Sequence, residues 1–127
     1  MISLSLLAPF SDPFTIDMRP IWGIRRNINR QAVLRNIEKE RFEEWPYNPS
    51  DERKPSWHER RIAYLSMFEG WLDPIEVVAE DGKICISDGY HRFGSAILTE
   101  QKEIKAQIFG DTQLSLSFLG VPPDYPR

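Results

Sequence analysis

The segment Asp88-Gly89-Tyr90-His91-Arg92 contains residue types that bind phosphate, in an order that suits the start of a helix. An apolar strand-like stretch precedes it and a helical pattern follows, so we expect a strand that turns directly into a helix. The first backbone amides of such a helix have no partners within it, and the peptide dipoles add roughly half a positive charge there. Gly89 removes the Cβ that would obstruct a phosphate, while His91 and Arg92 add donors to the first turn. The sequence therefore predicts an anion site at this turn.

Asp88 and Tyr90 each have more than one interpretation. Asp88 could cap the helix, hold a divalent cation or orient an attacking nucleophile. A carboxylate beside a phosphate is repulsive, so an enzymatic role requires Mg²⁺ or a hydrogen bond that occupies Asp88. Tyr90 could stack on a nucleobase or simply cover the helix start. The pentapeptide alone is explained about as well by a capped surface helix, so its setting matters.

Two pairs of arginines are further candidates for phosphate contacts. Arg60 and Arg61 lie on a predicted helix, and because neighbours on a helix point in different directions, one of them could reach the phosphates. A solvated basic face is the alternative. Arg25 and Arg26, close to Trp22, could contact nucleic acid, although a charged surface loop explains them more simply.

Zinc and thiol chemistry find little support. His58-Glu59 lacks the second histidine one turn later that zinc peptidases need, because that position is Ile62. Two histidines and one cysteine are too few for a structural zinc site of the usual kind. Cys85 stands between Ile84 and Ile86, which indicates packing, and a single cysteine favours a cytosolic location.

Hydrophobic spacing after residue 55 predicts the elements that position the turn. Ser56-Trp57-His58-Glu59 has the form of a capping box, and Gly70 is expected to end the helix that it starts. Asp81-Gly82 predicts a hairpin between two strands. Helix, hairpin, helix and strand in this order make an α+β pattern. The predicted strands are 75–79, 83–87 and 104–109, and the second helix runs from Tyr90 to about Gln101.

The first half of the chain has a weaker pattern and ends in the proline-rich segment 46–55, a predicted exposed loop. Residues 2–7 and 14–21 are predicted strands. Asn29 is expected to cap a helix over residues 31–42.

Length and composition set the remaining limits. The 127 residues suit one domain, with a divergent N-terminal segment (residues 1–55), a core (residues 56–110) and a C-terminal tail (residues 111–127). No apolar run approaches the roughly 18 residues of a membrane span, so we expect a cytoplasmic protein without a membrane partner. The net charge of −3 argues against coating nucleic acid through bulk charge but leaves room for a local basic cleft.

The stretch from Arg61 to Phe109 resembles the N-terminal domain of ParB and the sulfiredoxin fold, a small mixed sheet with flanking helices. About half of the chain matches in order and spacing, whereas residues 1–55 match nothing in that superfamily. The matching segments are Met67-Phe68-Glu69-Gly70, Pro74-Ile75-Glu76-Val77, Ile86-Ser87-Asp88-Gly89-Tyr90-His91-Arg92, Ala96, and Ile104-Lys105-Ala106-Gln107-Ile108.

The resemblance implies phosphate chemistry. Members of this superfamily bind ATP or CTP, hydrolyse or transfer phosphoryl groups, and in some cases cleave DNA. His91 and Arg92 match residues that contact nucleotide phosphates in sulfiredoxins, and Asp88 matches an aspartate implicated in free serine kinases. Mg²⁺ held through Asp88 is the implied metal. Tyr90 stands where sulfiredoxins have their catalytic cysteine, so repair of oxidised peroxiredoxin is not expected.

Two classes of function therefore stay open, and a third, a sequence-specific DNA binder, is less favoured because the chain is acidic and has no visible helix-turn-helix. The first is a small NTP phosphohydrolase or phosphotransferase, or a metal-dependent nuclease, similar in kind to plasmid oncogenic-suppression proteins with ATPase and DNase character. The second is a non-catalytic interaction or inhibitor protein of a plasmid or phage, which binds a protein partner through its aromatic-rich first half. Exposure of Trp22, Trp45 and Trp71 would favour the second. For the first, Asp88 and His91 are the catalytic candidates and Gly89, Tyr90, His91, Arg92, Arg60 and Arg61 the phosphate-binding ones.

Overall fold

The computed structural model describes residues 1–24, 26–68 and 70–127, without the side chain of Trp71. Helices and strands alternate irregularly along these residues, which confirms the predicted α+β class. The helices are α1 (Leu4–Ser11), α2 (Arg19–Trp22), α3 (Arg30–Glu38), α4 (Pro55–Met67), a 3₁₀ helix (Gly70–Leu72), α5 (Tyr90–Leu98) and α6 (Thr112–Leu119). The strands are β1 (Ile2–Ser3), β2 (Ile75–Glu80), β3 (Lys83–Asp88), β4 (Glu103–Ile104), β5 (Ala106–Gly110) and β6 (Tyr125–Pro126).

A four-stranded mixed sheet in the order β3-β2-β5-β6 holds the predicted turn at one of its edges. Strands β2 and β3 form the predicted hairpin, in which Asp81 and Gly82 take positive φ values of 54° and 75°. Strand β5 then returns parallel to β2, with Val77 opposite Ile108. The crossover between β3 and β5 contains α5, so the start of this helix lies directly after the edge strand. Strands β1 and β4 pair separately.

Two apolar clusters connect the sheet to the first half of the chain. The larger cluster packs α1, α5 and α6 against the sheet, around fully buried residues such as Leu7, Val77 and Phe93. The smaller cluster packs the first half of the chain against α4 and α5, and its buried members include Met18 and Ile62. Residues 13–24 and 26–42 are therefore fixed beside the predicted turn.

The predicted capping box is wrong. Helix α4 begins at Pro55, two residues before the Trp57 that a Ser56 cap would place first. The missing N–H and fixed φ of Pro55 suit a first helical turn, and no side chain of the described residues caps it. Glu59 is instead buried and accepts hydrogen bonds from the Arg26 guanidinium and the Asn29 amide. Gly70 does not end α4, which stops at Met67; a Cβ on Gly70 would lie 2.2 Å from the Leu65 side chain.

In the first half, one of the three predicted elements is confirmed. Asn29 caps α3 by accepting a hydrogen bond from the Ala32 amide, although the helix ends at Glu38 rather than at residue 42. The predicted strand 2–7 is wrong beyond Ser3, because the buried positions Leu4 and Leu7 belong to helix α1. The predicted strand 14–21 is also wrong, since this segment contains turns and the start of α2.

The end of the chain contains more structure than the predicted tail. Asp111 caps α6 by accepting a hydrogen bond of 2.7 Å from the Leu114 amide, and β6 adds an edge to the sheet. Helix α5 ends at Leu98, three residues before the predicted end, and the predicted strand 104–109 is divided between β4 and β5. No helix among the described residues has the length and apolar content for crossing a bilayer.

Candidate functional site

The turn between β3 and α5 has the geometry that the sequence predicts. Gly89 takes a φ of 105°, and a Cβ there would lie 2.6 Å from a methyl group of Ile75, so both the backbone and the space require glycine. The Gly89 carbonyl accepts the Phe93 N–H at 2.9 Å, which places the start of the helix at Tyr90. No side chain in the described part of the chain caps the helix. Its first amides therefore have neither an intrahelical partner nor a side-chain cap.

Asp88 does not serve as the N-cap, a role that the sequence left open. Gly89 occupies the cap position, and the Asp88 carboxylate accepts a 2.8 Å hydrogen bond from Nη2 of Arg92 one turn along. Nη1 of Arg92 donates to the Pro74 carbonyl at 3.0 Å. Because these two bonds hold the guanidinium across the turn, its orientation is fixed before any ligand arrives.

A cavity of about 350 Å³ opens at this turn, and we call it the turn cavity. Two arginines, Arg61 and Arg92, line it together with Asp88 and His91. Nη1 of Arg61 donates to the Glu44 carbonyl at 2.8 Å. Burial lowers the pKa of Arg61, but an arginine keeps its charge at neutral pH. The remaining lining residues are Pro46, Leu65, Gly70, Asp73 and Gly89.

His91 forms a hydrogen-bonded pair with His58, the only other histidine of the chain. Nε2 of His91 lies 2.8 Å from Nδ1 of His58, and Nε2 of His58 contacts the Glu52 carbonyl. A carbonyl only accepts, so Nε2 of His58 carries a proton and, in the neutral pair, His58 Nδ1 accepts from His91 Nε2. Nδ1 of His91 is then unprotonated. This Nδ1 atom is not fully buried, and none of the described residues forms a hydrogen bond to it.

Both histidines are held in the neutral form. Burial is the main cause that lowers the pKa of His58, whose side chain is almost completely inaccessible. Burial lowers the pKa of His91 further, and the neighbouring charges of His58, Arg61 and Arg92 act in the same direction. The ring of His91 still reaches the cavity, since the residue is only partly buried.

Aromatic side chains fix the two imidazole rings. Trp22 lies parallel to both, with ring centroids 4.1 Å from His58 and 4.4 Å from His91. Trp57 is fully buried and perpendicular to the same two rings at 5.0 and 5.6 Å. Its indole nitrogen is buried without a hydrogen-bond partner among the described residues. The pair therefore has little freedom to rotate.

A second cavity of about 510 Å³ adjoins the first, and we call it the side cavity. Both cavities share Pro46, Asp88, Gly89 and His91 as lining residues. Unlike the turn cavity, this one has aromatic and aliphatic walls and contains no arginine among its described lining. Its other lining residues are Ile21, Trp22, Cys85, Ile86, Ser87 and Tyr90.

Of the remaining candidates from the sequence, the structure brings Arg61 to the turn cavity and Arg60 to a different groove. Tyr90 mainly packs, since it contacts both apolar clusters and lies edge-on to Trp22 at 6.2 Å. Arg26 pairs with Glu59, whereas Arg25 lies outside the described residues. Cys85 is half-buried in β3.

The donor set for a metal is small. No group of three acidic, histidine or cysteine side chains suitable for a metal ion occurs within the described residues. Asp88 and Asp73 line the turn cavity together, and Mg²⁺ commonly uses one or two carboxylates plus substrate phosphates. These residues therefore fit Mg²⁺ only in a complex with a phosphate ligand.

Sequence reasoning missed His58 and Trp22 as members of this site. Their places follow from the packing of the first half of the chain, because His58 and His91 are 33 positions apart. The one signal in the sequence is that the chain has only two histidines.

Comparisons with protein-family models, curated proteins and solved structures found no match to this chain.

Proposed function

We propose that this chain adopts the ParB/sulfiredoxin-like fold and binds a nucleotide across the two adjoining cavities. The observation that carries the proposal is that a cavity lined by two arginines and a cavity lined by Trp22 and Tyr90 meet at the Asp88–His91 turn. Phosphates would occupy the turn cavity, where Arg61, Arg92 and the first amides of α5 converge. The base, ATP or CTP being the expected ligands, would occupy the side cavity.

We further propose that the bound nucleotide undergoes hydrolysis or phosphoryl transfer, mainly through positioning and charge neutralisation. An acceptor hydroxyl, or water, forms the new bond to phosphorus while the bond to the leaving oxygen breaks. Asp88 takes the acceptor proton on Oδ1, since Oδ2 is bonded to Arg92. His91, once protonated at Nδ1, gives its proton to the leaving oxygen. Mg²⁺, if held by Asp73 and phosphate oxygens, would supply additional charge neutralisation and leave Oδ1 of Asp88 free for the proton.

Calorimetric titration with ATP, CTP, GTP and ADP, each with and without Mg²⁺, tests the proposal. Arg92→Ala is expected to weaken binding by about 1.5–3 kcal/mol, roughly 10- to 150-fold in Kd. Arg127→Ala is the matched control, because Arg127 makes an exposed ion pair with Glu80 away from both cavities. Binding that is equal in the two variants contradicts the site.

Tripolyphosphate separates the roles of the two cavities. If the side cavity holds the base, ATP binds more tightly than tripolyphosphate, and the His91→Ala/Arg92→Ala variant loses both ligands. Equal affinity for ATP and tripolyphosphate would remove the base from the proposal and leave a phosphate site.

A second candidate function rests on exposed aromatic residues beside the turn cavity. Trp45 and Tyr47 are 74% and 69% exposed on either side of Pro46. A protein-binding module of a plasmid or phage would use such a surface and keep the turn only as a helix start. Absence of binding for every nucleotide in the titration favours this alternative. Trp22 contributes little to it, because it is stacked on the histidines, and the side chain of Trp71 lies outside the described residues.

A further inference from the structure

A groove of about 260 Å³ lies between α3 and α4, on a different surface from the two cavities of the nucleotide site. Four cationic side chains from two places in the chain line it: Arg35, Lys39 and Arg41 at and directly after the end of α3, and Arg60 of α4. None of the four makes an ion pair or a side-chain hydrogen bond within the described residues. Three of them, Arg35, Lys39 and Arg41, are exposed to solvent and therefore accessible to an anion.

The one acidic residue in the described lining does not neutralise these cations. Glu59 is 2% exposed, and its carboxylate accepts two hydrogen bonds from Arg26, of 2.6 and 2.9 Å, and one of 2.7 Å from the Asn29 amide. The negative charge of Glu59 is therefore balanced by Arg26 and does not offset the four cations of the groove. A favourable contact with the C-terminal end of the α3 dipole explains Arg35 and Lys39, but it explains neither Arg41 nor Arg60.

We propose that this basic groove binds the phosphate backbone of duplex DNA without reading its sequence. Four cations spaced along the groove, three of them exposed, suit a row of phosphates better than one compact anion. The described lining contains no aromatic side chain on which an unpaired base could stack, which favours a duplex over a single strand. The remaining lining residues, Ala32, Asn36 and Ser56, are small or neutral and allow a backbone to approach closely.

Salt dependence gives the proposal a measurable form. Four phosphate contacts correspond to a slope of about −3.6 in a plot of log affinity against log salt, or roughly a 150-fold loss between about 50 and 200 mM salt. The Arg35→Gln/Lys39→Gln/Arg41→Gln variant keeps only Arg60, so its slope is expected to fall to about −1.

Fluorescence anisotropy with a short labelled duplex of random sequence is the assay, with labelled single strand as the second probe. Lys83→Gln/Lys102→Gln/Lys105→Gln is the matched control, because it removes the same charge from exposed positions outside the groove. Loss of affinity and slope in the groove variant alone supports the proposal. Equal behaviour of the two variants, or tighter binding of the single strand, overturns it.

The nucleotide site and the groove are separable in the same assay. Arg92→Ala is expected to bind the duplex like the unmodified chain, and the groove variant is expected to bind nucleotide normally. Loss of duplex binding in Arg92→Ala would move the DNA to the turn cavity and overturn the assignment of the groove.

Discussion

The hydrogen bonds of the His58–His91 pair predict that anion binding at the turn is accompanied by uptake of one proton. His58 donates from Nε2 to the Glu52 carbonyl, and His91 donates from Nε2 to His58 Nδ1. A further proton fits only on Nδ1 of His91. A proton on Nδ1 of His58, the other free position, would point at the Nε2–H group of His91. Burial, and then the charges of His58, Arg61 and Arg92, lower the pKa of His91 well below its ordinary value. In the free protein the pair is therefore neutral at pH 7.

A bound anion reverses this balance. One negative charge about 4 Å from an imidazolium contributes about 4 kcal/mol at an effective dielectric constant of about 20. That energy corresponds to nearly a thousandfold change in the protonation equilibrium. Inorganic sulfate is the suitable probe, because it does not titrate near neutral pH. Between the pKa of His91 in the sulfate-bound protein and its lower pKa in the free protein, we expect the Kd of sulfate to fall by up to about tenfold for each unit by which the pH is lowered.

NMR titration measures protonation and binding separately. The ring resonances of His91 report its protonation, and the amide resonances of Gly89 to Arg92 report sulfate at the helix start. With sulfate present, the ring is expected to protonate at a higher pH than without it. Sulfate that shifts the amides but changes neither the titration of His91 nor the pH dependence of Kd would refute the proton coupling. Amides that do not respond would instead contradict the anion site.

Two further predictions concern stability. As the pH falls below about 6.5, the unfolded chain binds protons that buried His58 and His91 do not, because folding lowers the pKa of both. The free energy of unfolding is then expected to fall by up to about 1.4 kcal/mol per pH unit for each histidine, which urea denaturation measures; a flat profile contradicts neutral burial. Gly89→Ala is expected to cost about 1–3 kcal/mol, since its φ is 105° and its Cβ would lie 2.6 Å from Ile75. Thermal unfolding measures this cost, with Gly23→Ala as the control, because Gly23 has a φ of 67° and no atom within 4 Å of the position of an added Cβ. An equal loss of stability in both variants would mean that Ile75 moves aside.

Local signals in the sequence predicted the hairpin and the glycine turn at the start of α5. Asp81-Gly82 and Gly89 need backbone conformations that few other residues adopt, so their types alone indicate a turn. The cap at Asn29 was also predicted correctly, because its side chain accepts a hydrogen bond from an amide only three residues away. These features depend on contacts within a few residues.

Features that depend on distant contacts were predicted poorly. The apolar residues at the start of the chain fit a strand or a helix equally well. The segment is helical because this conformation packs both Leu4 and Leu7 against the sheet. Glu59 looked like a member of a capping box, but its carboxylate is bound by Arg26, 33 positions earlier. The same holds for Trp22, whose stacking on both histidines has no signature in its own segment.

Four consecutive residues of α4 illustrate why the site could not be read from a short window. His58 points to His91, Glu59 to Arg26, Arg60 to the basic groove and Arg61 to the turn cavity. Successive side chains on a helix are rotated by about 100°, so adjacent residues face different partners. Helix α4 therefore lines both the turn cavity and the basic groove. A window of a few residues does not distinguish these four roles, because each is set by a partner elsewhere in the chain.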